Sequence, residues 1–229
     1  MSLTLFKGNK ANQGALFSIR FAAKLNKANE DFKPGGFFIS LVKQVSWNEK
    51  NHTGVFSGGD TTSIKLDQFE AAKILHVIER NYNVGDISGM EKKAITDAYG
   101  FFNMHRTSTQ ETYINFSPWQ RKGAKEQTGF GLYITRVANG EKTIFGAAFN
   151  FGEDILLREY LKLGLEHINM AGYQEDKRRH EENAKNTNGN GSEGATQDKK
   201  RPAARTAPAK PAPEPEETDA GDDGEESLF

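Results

Sequence analysis

Most of the first 66 residues alternate between apolar and polar positions, which is the pattern of β-strands with one buried face. Phe17, Ile19 and Phe21, for example, would share one face of a strand. The strands predicted from this pattern cover residues 16–24, 36–47, 55–57 and 61–66. At Phe37-Phe38 both faces are apolar, so the pattern leaves open which face of that strand is buried.

The period becomes helical at Asp67. This residue is suited to cap a helix, because Glu70 follows three residues later and can complete a capping box. Asn81 can end the helix. The apolar residues predicted to share its buried face are Leu66, Phe69, Ala72, Leu75 and Ile78.

The same order of elements then recurs. Strands are predicted over residues 99–106, 112–117, 129–137 and 142–149, with Asn139-Gly140 as a hairpin turn between the last two. Asn150 takes the place of Asp67, and a longer amphipathic helix follows. Its apolar residues are Ile155, Leu157, Tyr160, Leu161, Leu165 and Ile168.

This recurrence predicts an α+β fold made of two tandem repeats, each with four strands and one helix. The repeats cover about residues 5–83 and 97–170, form antiparallel sheets packed on helices, and are joined by a linker over residues 84–97. Together they form one domain, residues 1–172.

The last 56 residues have a different composition. After Tyr173 the only large apolar residues are Leu228 and Phe229, and five of the seven prolines lie here. Such a segment cannot form a core, so residues 173–213 are predicted to be a disordered linker and residues 214–229 an acidic interaction tail.

Charge is divided in the same way. The tail holds eight acidic residues and no basic one, so the other 213 residues carry 30 basic against 23 acidic side chains. A basic body with an acidic tail indicates a nucleic-acid partner or an interaction tail.

Several classes of function are excluded or disfavoured by composition. The chain has no cysteine, which excludes disulfides and thiolate metal sites. It has no apolar run long enough for a membrane span, and its start lacks a signal peptide's apolar core, so we expect a soluble cytoplasmic protein. Its five histidines are scattered, and its glycine pairs resemble turns more than phosphate loops. We therefore expect no cofactor, no metal and no catalysis.

The positive signal is aromatic and basic residues interleaved on the strands. Rings can stack on bases and cations can bind phosphates, which is what sequence-tolerant binding of single strands requires. The candidate nucleic-acid-binding residues are Arg20, Lys24, Phe38, Lys43, Trp47, Lys65, Arg106, Tyr113, Trp119, Tyr133 and Arg136. Most strand aromatics pack in cores, and that role is expected for Phe37, Phe101, Phe116, Phe130 and Phe145.

The tail is the second signal, because a purely solubilising tail does not need a terminal Leu-Phe. The candidate partner-binding residues are Asp222, Asp223, Glu225, Glu226, Leu228 and Phe229. They suit a basic, apolar-floored pocket on a partner protein. Alternatively, the tail occupies the protein's own groove, which would be lined by Arg20, Lys24, Lys43, Arg106 and Arg136.

Several segments resemble the Whirly proteins and the related positive-cofactor-four coactivators. KGNKANQGAL (residues 7–16) resembles a loosened Whirly KGKAAL segment. The segments that match the family's layout are GGFFISL (35–41), SIKLDQFEAAKIL (63–75) and GFGLYITRV…FGEDILLREYLKLGLEHI (129–168). The resemblance implies binding of single-stranded DNA on the sheets. The tail is instead similar to the acidic, aromatic-ended C-termini of bacterial and phage single-stranded DNA-binding proteins.

These signals together predict a phage or bacterial protein that coats single-stranded DNA in replication, recombination or repair and recruits partners through its tail. A transcription regulator or RNA-binding protein of the same fold is the alternative, and a nuclease or annealase is a third. Edge strands and the resemblance favour a homo-oligomer, although a duplicated unit can also build a two-fold arrangement within one chain.

Overall fold

The computed structural model describes residues 2–24 and 33–189. By its contacts the chain divides into a unit of residues 1–187 and a second unit of residues 188–229. The strands are β1 (Ser2–Lys7), β2 (Ala15–Lys24), β3 (Pro34–Lys43), β4 (Ser46–Asn48), β5 (Thr53–Val55), β6 (Thr61–Leu66), β7 (Phe101–Arg106), β8 (Gln110–Trp119), β9 (Gly129–Ala138) and β10 (Glu141–Asn150). The helices are α1 (Gln68–Arg80), α2 (Lys92–Tyr99) and α3 (Glu153–Gly189).

Two four-stranded antiparallel sheets form the body of the first unit. Sheet one has the order β1-β2-β3-β6, and sheet two has the order β10-β9-β8-β7. α1 follows the last strand of sheet one, and α3 follows the last strand of sheet two. The predicted α+β arrangement of two four-strand, one-helix repeats is confirmed.

Sheet one does not contain the four strands that were predicted. The chain leaves β3 at Lys43, because the buried Gln44 side chain bonds to Asn9 and to the Ser46 carbonyl and so turns the chain. Beyond this turn β4 and β5 pair only with each other. The fourth strand of sheet one is β1, which was missed because it alternates over only six residues.

Two helices also differ from the prediction. α2 lies in the segment that was predicted as a linker, and no side chain caps its start. α3 continues through residues 173–189, which were also predicted as linker. In this part Glu175 forms ion pairs with Arg178 and Arg179, and Arg178 pairs with Glu182, at spacings that stabilise helices. The rest of the predicted linker and the acidic tail lie outside the described residues.

One hydrophobic core joins the inner faces of both sheets with α1 and α3. Phe17 of sheet one meets Phe149 of sheet two edge to face, with ring centroids 4.9 Å apart. The five phenylalanines that were expected in the core are all buried. The open question at residues 37 and 38 is settled, because Phe37 is fully buried and Phe38 lies on the outer face.

The buried face of α1 is the predicted one only in part, because Leu66 and Ile78 are buried and Leu75 packs against the core, whereas Phe69 and Ala72 are exposed. Its buried residues are Glu70, Ala71, Ile74, Val77 and Ile78, whereas Phe69 is 68% exposed. A strict spacing of three residues drifts around a helix that has 3.6 residues per turn, so only spacings that alternate three and four keep one face. In α3 the predicted residues are buried or partly buried except Ile155, which is exposed on the first turn.

Both repeat helices begin with the predicted capping pair. Asp67 accepts from the Glu70 amide, and the Glu70 carboxylate accepts from the Asp67 amide. Asn150 and Glu153 make the same reciprocal pair before α3. The other oxygen of Glu70 bonds to Asn103 and to His105 of β7, which ties the start of α1 to sheet two.

Gly164 allows α3 to approach sheet one closely. A Cβ atom at this position would lie 2.4 Å from the ring of Phe37 and 3.0 Å from the ring of Phe21. Gly172 in the same helix has nothing within 4 Å of its Cβ position. Alanine at position 164 therefore tests both packing and helix propensity, whereas alanine at position 172 tests helix propensity alone.

We predict opposite effects for alanine at these two positions. Gly172→Ala should raise the free energy of unfolding by about 0.5–1 kcal/mol, because glycine is a poor helix former. Gly164→Ala should lower it by about 1 kcal/mol or more, because overpacking outweighs the same gain. Urea unfolding followed by circular dichroism measures both changes, and equal stabilisation would show that α3 does not press against Phe37.

Candidate nucleic-acid interface

A groove of about 610 Å³ lies on the outer face of sheet two. The floor is formed by side chains of β7 to β10, one wall by α2 with the loop before it, and the other by the loop after β8. Its aromatic residues are Phe102, Tyr113, Trp119 and Tyr133. Three of these four were predicted as nucleic-acid-binding residues from the sequence.

Specific contacts hold α2 against the outer face of this sheet. Asn115 of β8 donates a hydrogen bond to the Thr96 hydroxyl at 2.6 Å, and Asn81 donates to the carbonyl of Tyr99. Gly100 ends the helix where a Cβ atom would lie 2.9 Å from the Phe116 carbonyl oxygen. A larger residue at this position would push α2 away from the sheet.

The loop before α2 is fixed by two glutamine side chains. Gln127 is almost fully buried and accepts from the Val84 amide, and Gln120 accepts from the Ile87 amide at 2.7 Å. These bonds connect the loop before α2 to the loop after β8. Both walls of the groove are therefore linked to each other as well as to the sheet.

Tyr133 lies flat on the floor of the groove because two neighbouring positions have no side chain. A Cβ atom at Gly131 would lie 2.9 Å from the Tyr133 ring, and one at Gly146 would lie 3.0 Å from it. The ammonium group of Lys92 is 4.8 Å from the ring centroid. Burial raises the pKa of the Tyr133 phenol, because the phenolate would lose solvation.

A pair of rings lies along the edge of the groove. Phe102 is 57% exposed, and its ring is stacked 6.1 Å from that of Tyr113. The Tyr113 hydroxyl donates to Glu111 at 2.5 Å, which raises the pKa of the phenol. Arg106 also pairs with Glu111, so its charge is partly neutralised. The hydrogen bond from Tyr113 and the pair with Arg106 lower the pKa of Glu111.

Four predicted residues lie on the outer face of sheet one. Arg20 and Phe38 are register partners, and the Arg20 guanidinium carbon lies 4.4 Å from the ring centroid. Lys65 is the next partner of Phe38 in the same row. Lys24 lies on the same face of β2, two positions after Ala22. These residues form a second aromatic and basic cluster, separate from the groove.

Three predicted residues lie on neither outer face. Lys43, at the end of β3, is on the same side of the strand as its buried residues. There it pairs with Asp60 and lies over the Phe145 ring. Arg136 is also on the buried side of its strand, and it donates a hydrogen bond to the Ser63 carbonyl of sheet one at 2.7 Å. Trp47 lies in the β4–β5 hairpin against Gly8. The single groove predicted to be lined by Arg20, Lys24, Lys43, Arg106 and Arg136 is therefore wrong.

The sequence did not reveal several groove residues. Lys92 belongs to a helix that was missed, and Arg121 and Lys122 follow β8 in a loop. Phe102 is not among the predicted residues, although Phe101-Phe102 repeats the paired phenylalanines of β3, with the first ring buried and the second exposed. This parallel between the two repeats is the sequence signal from which an exposed Phe102 could have been predicted.

Within residues 2–24 and 33–189 no cluster of three histidine, aspartate or glutamate side chains is placed to hold a metal ion. In the same ranges no helix is long and apolar enough to cross a membrane.

No protein-family model matches the sequence, and no curated protein does either. Among solved structures, the plant transcriptional regulator PBF-2 is similar, with 9% identity, a TM-score of 0.50, and coverage of 79% of this chain and 87% of that one. WHY3 from Arabidopsis thaliana is similar at 10% identity and a TM-score of 0.50, over 78% of this chain and 94% of that one. Both are Whirly proteins, so the Whirly-like fold is confirmed.

Replacement of Gly146 tests the geometry of the groove floor. Gly146→Ala should displace the Tyr133 ring towards solvent and lower the raised pKa of its phenol towards the ordinary value. Ultraviolet titration gives this pKa as the difference between each protein and its Tyr133→Phe counterpart. An unchanged Tyr133 titration in Gly146→Ala would contradict the flat position of the ring.

Proposed function

We propose that the protein is a non-catalytic single-stranded DNA-binding protein that coats exposed strands in replication, recombination or repair. The observation that carries this proposal is the groove on sheet two, where aromatic rings line a floor that is bordered by cations. The fold it shares with the plant transcriptional regulator supports a nucleic-acid ligand by analogy.

The rings suit unpaired bases. A single strand can turn the faces of its bases towards a protein, and each stacked base contributes about 1–3 kcal/mol. Tyr133 lies on the floor with the Lys92 ammonium 4.8 Å from its ring centroid, so a base stacks on it by displacing Lys92. Phe102 and Tyr113 form a stacked pair at the edge. A duplex keeps its base faces stacked on each other, so it would gain little from these rings.

The cations suit phosphates. Among the ion pairs of the described residues, none involves Lys92, Arg121 or Lys122. Arg106 differs, because Glu111 already pairs with it. We therefore assign most phosphate binding in the groove to the three unpaired cations and little to Arg106.

Removal of two groove cations should weaken binding and reduce its salt dependence. For single strands the slope of log affinity against log salt is about −0.7 per phosphate contact, so Lys92→Gln with Lys122→Gln should reduce the slope by up to about 1.4. Lys93→Gln is the matched control, because Lys93 is an exposed neighbour that does not line the groove. Fluorescence anisotropy with oligo(dT) at several salt concentrations measures the slopes.

Two results would contradict the proposal. Equal affinity for duplex and oligo(dT) would show that stacking on the groove does not select single strands. Tighter binding of poly(U) than of oligo(dT) would favour the RNA-binding alternative, since discrimination between them requires a contact to the 2′-hydroxyl.

The acidic tail is proposed to recruit replication or repair proteins through Asp222, Asp223, Glu225, Glu226, Leu228 and Phe229. Its eight acidic side chains are also complementary to the groove cations. The tail would then occupy the groove in the absence of DNA, and bound DNA would displace it and free it for a partner.

Deletion of residues 214–229 tests the competition. The truncated chain should bind oligo(dT) more tightly than the full chain at low salt, with a smaller difference at high salt, because salt screens the competing charges. Anisotropy titrations of both chains measure the difference. If the two affinities agree at low salt, the tail does not occupy the groove.

A further inference from the structure

We propose that a single strand continues from the groove into a second recess and on to the outer face of sheet one within the same chain. This inference rests on the proposed function and adds a second binding subsite to it. Trp119 and Arg121 line both the groove and the recess, so they form the ridge that a strand would cross.

The second recess has a volume of about 560 Å³. On the side away from the groove it is lined by Phe6 and Lys7 of β1 and by Asn150 at the end of β10. It therefore lies between the end of β1 in sheet one and the end of β10 in sheet two. A strand leaving the groove over Trp119 would reach sheet one here.

Phe6 gives the recess its stacking surface. Its side chain is 71% exposed, and its ring centroid lies 6.2 Å from that of Phe56. A lone exposed phenylalanine needs no explanation, but this one borders the same recess as a tryptophan and an arginine. The recess therefore combines aromatic rings with a cation, as the groove does.

The outer face of sheet one continues from Phe6 towards Arg20. Phe6 pairs with Leu16 on this face, and the row two positions along β1 and β2 contains the hydroxyl residues Thr4, Ser18, Ser40 and Ser63. The next row contains Arg20, Phe38 and Lys65. Adjacent rows on one face are about 6.6 Å apart, so the last row lies about 13 Å from Phe6.

Charge distinguishes the second recess from the groove. Lys7 is paired with Glu153, so Arg121 is the one cation lining this recess that has no ion pair among the described residues. Binding at Phe6 should therefore depend on stacking and contribute little to the salt dependence. The salt dependence of binding therefore distinguishes a variant that loses stacking in the recess from one that loses groove cations.

The test compares oligo(dT) of about 4 and about 12 nucleotides, within the range of known site sizes. Phe6→Ala should weaken binding of the longer oligonucleotide about 5-fold or more, with an unchanged salt slope and an unchanged affinity for the shorter one. Phe6→Trp should keep the affinity for the longer one. Phe69→Ala is the matched control, because Phe69 is 68% exposed on α1 and lines neither site.

The outcomes distinguish this inference from the proposed function. If the wild-type chain binds both lengths and Phe6→Ala behaves like Phe69→Ala, the second subsite is wrong and the groove remains. If the wild-type chain binds neither length, the proposed function is overturned together with the subsite. Equal melting temperatures of the variants establish that the comparison concerns binding.

Discussion

Two four-stranded sheets share one hydrophobic core, and this shared burial determines what the other face of each strand can do. Successive side chains on a strand point to opposite sides, so the residues next to Phe37, Ile114 and Ile134 must lie outside the core. Tyr113 and Tyr133 are such neighbours on sheet two, and Phe38 is one on sheet one. Their exposure follows from the packing of the residues beside them.

α2 converts one of these outer faces into a groove. Without it, sheet two would present rings on an open surface, where water has access from every side. The bond between Asn115 and Thr96 and the absent side chain at Gly100 keep the helix close to the sheet. The glycines at positions 131 and 146 then let Tyr133 lie on the floor, beneath the ammonium group of Lys92. The groove thus depends on small residues as much as on aromatic ones.

The sequence predicted the repeated architecture because capping pairs and strand alternation are local signals. Asp67 with Glu70 and Asn139-Gly140 each specify their conformation within four residues, and both asparagine and glycine of the turn have positive φ angles. The face of the strand on which Lys43 or Arg136 lies could not be predicted in the same way, because it depends on where each strand starts and on its partners. Lys92 and Arg121 were missed because tertiary hydrogen bonds to Asn115, Gln120 and Gln127 place their segments against the sheet.

Emission from Trp119 tests the central claim most directly. The chain has two tryptophans, so Trp47→Phe leaves Trp119 as the only indole, at the ridge of the groove. Titration with oligo(dT) should quench its emission in parallel with the anisotropy of a labelled strand, because stacked bases quench indole directly. Binding reported by anisotropy with no change in Trp119 emission would show that the strand lies elsewhere on the protein.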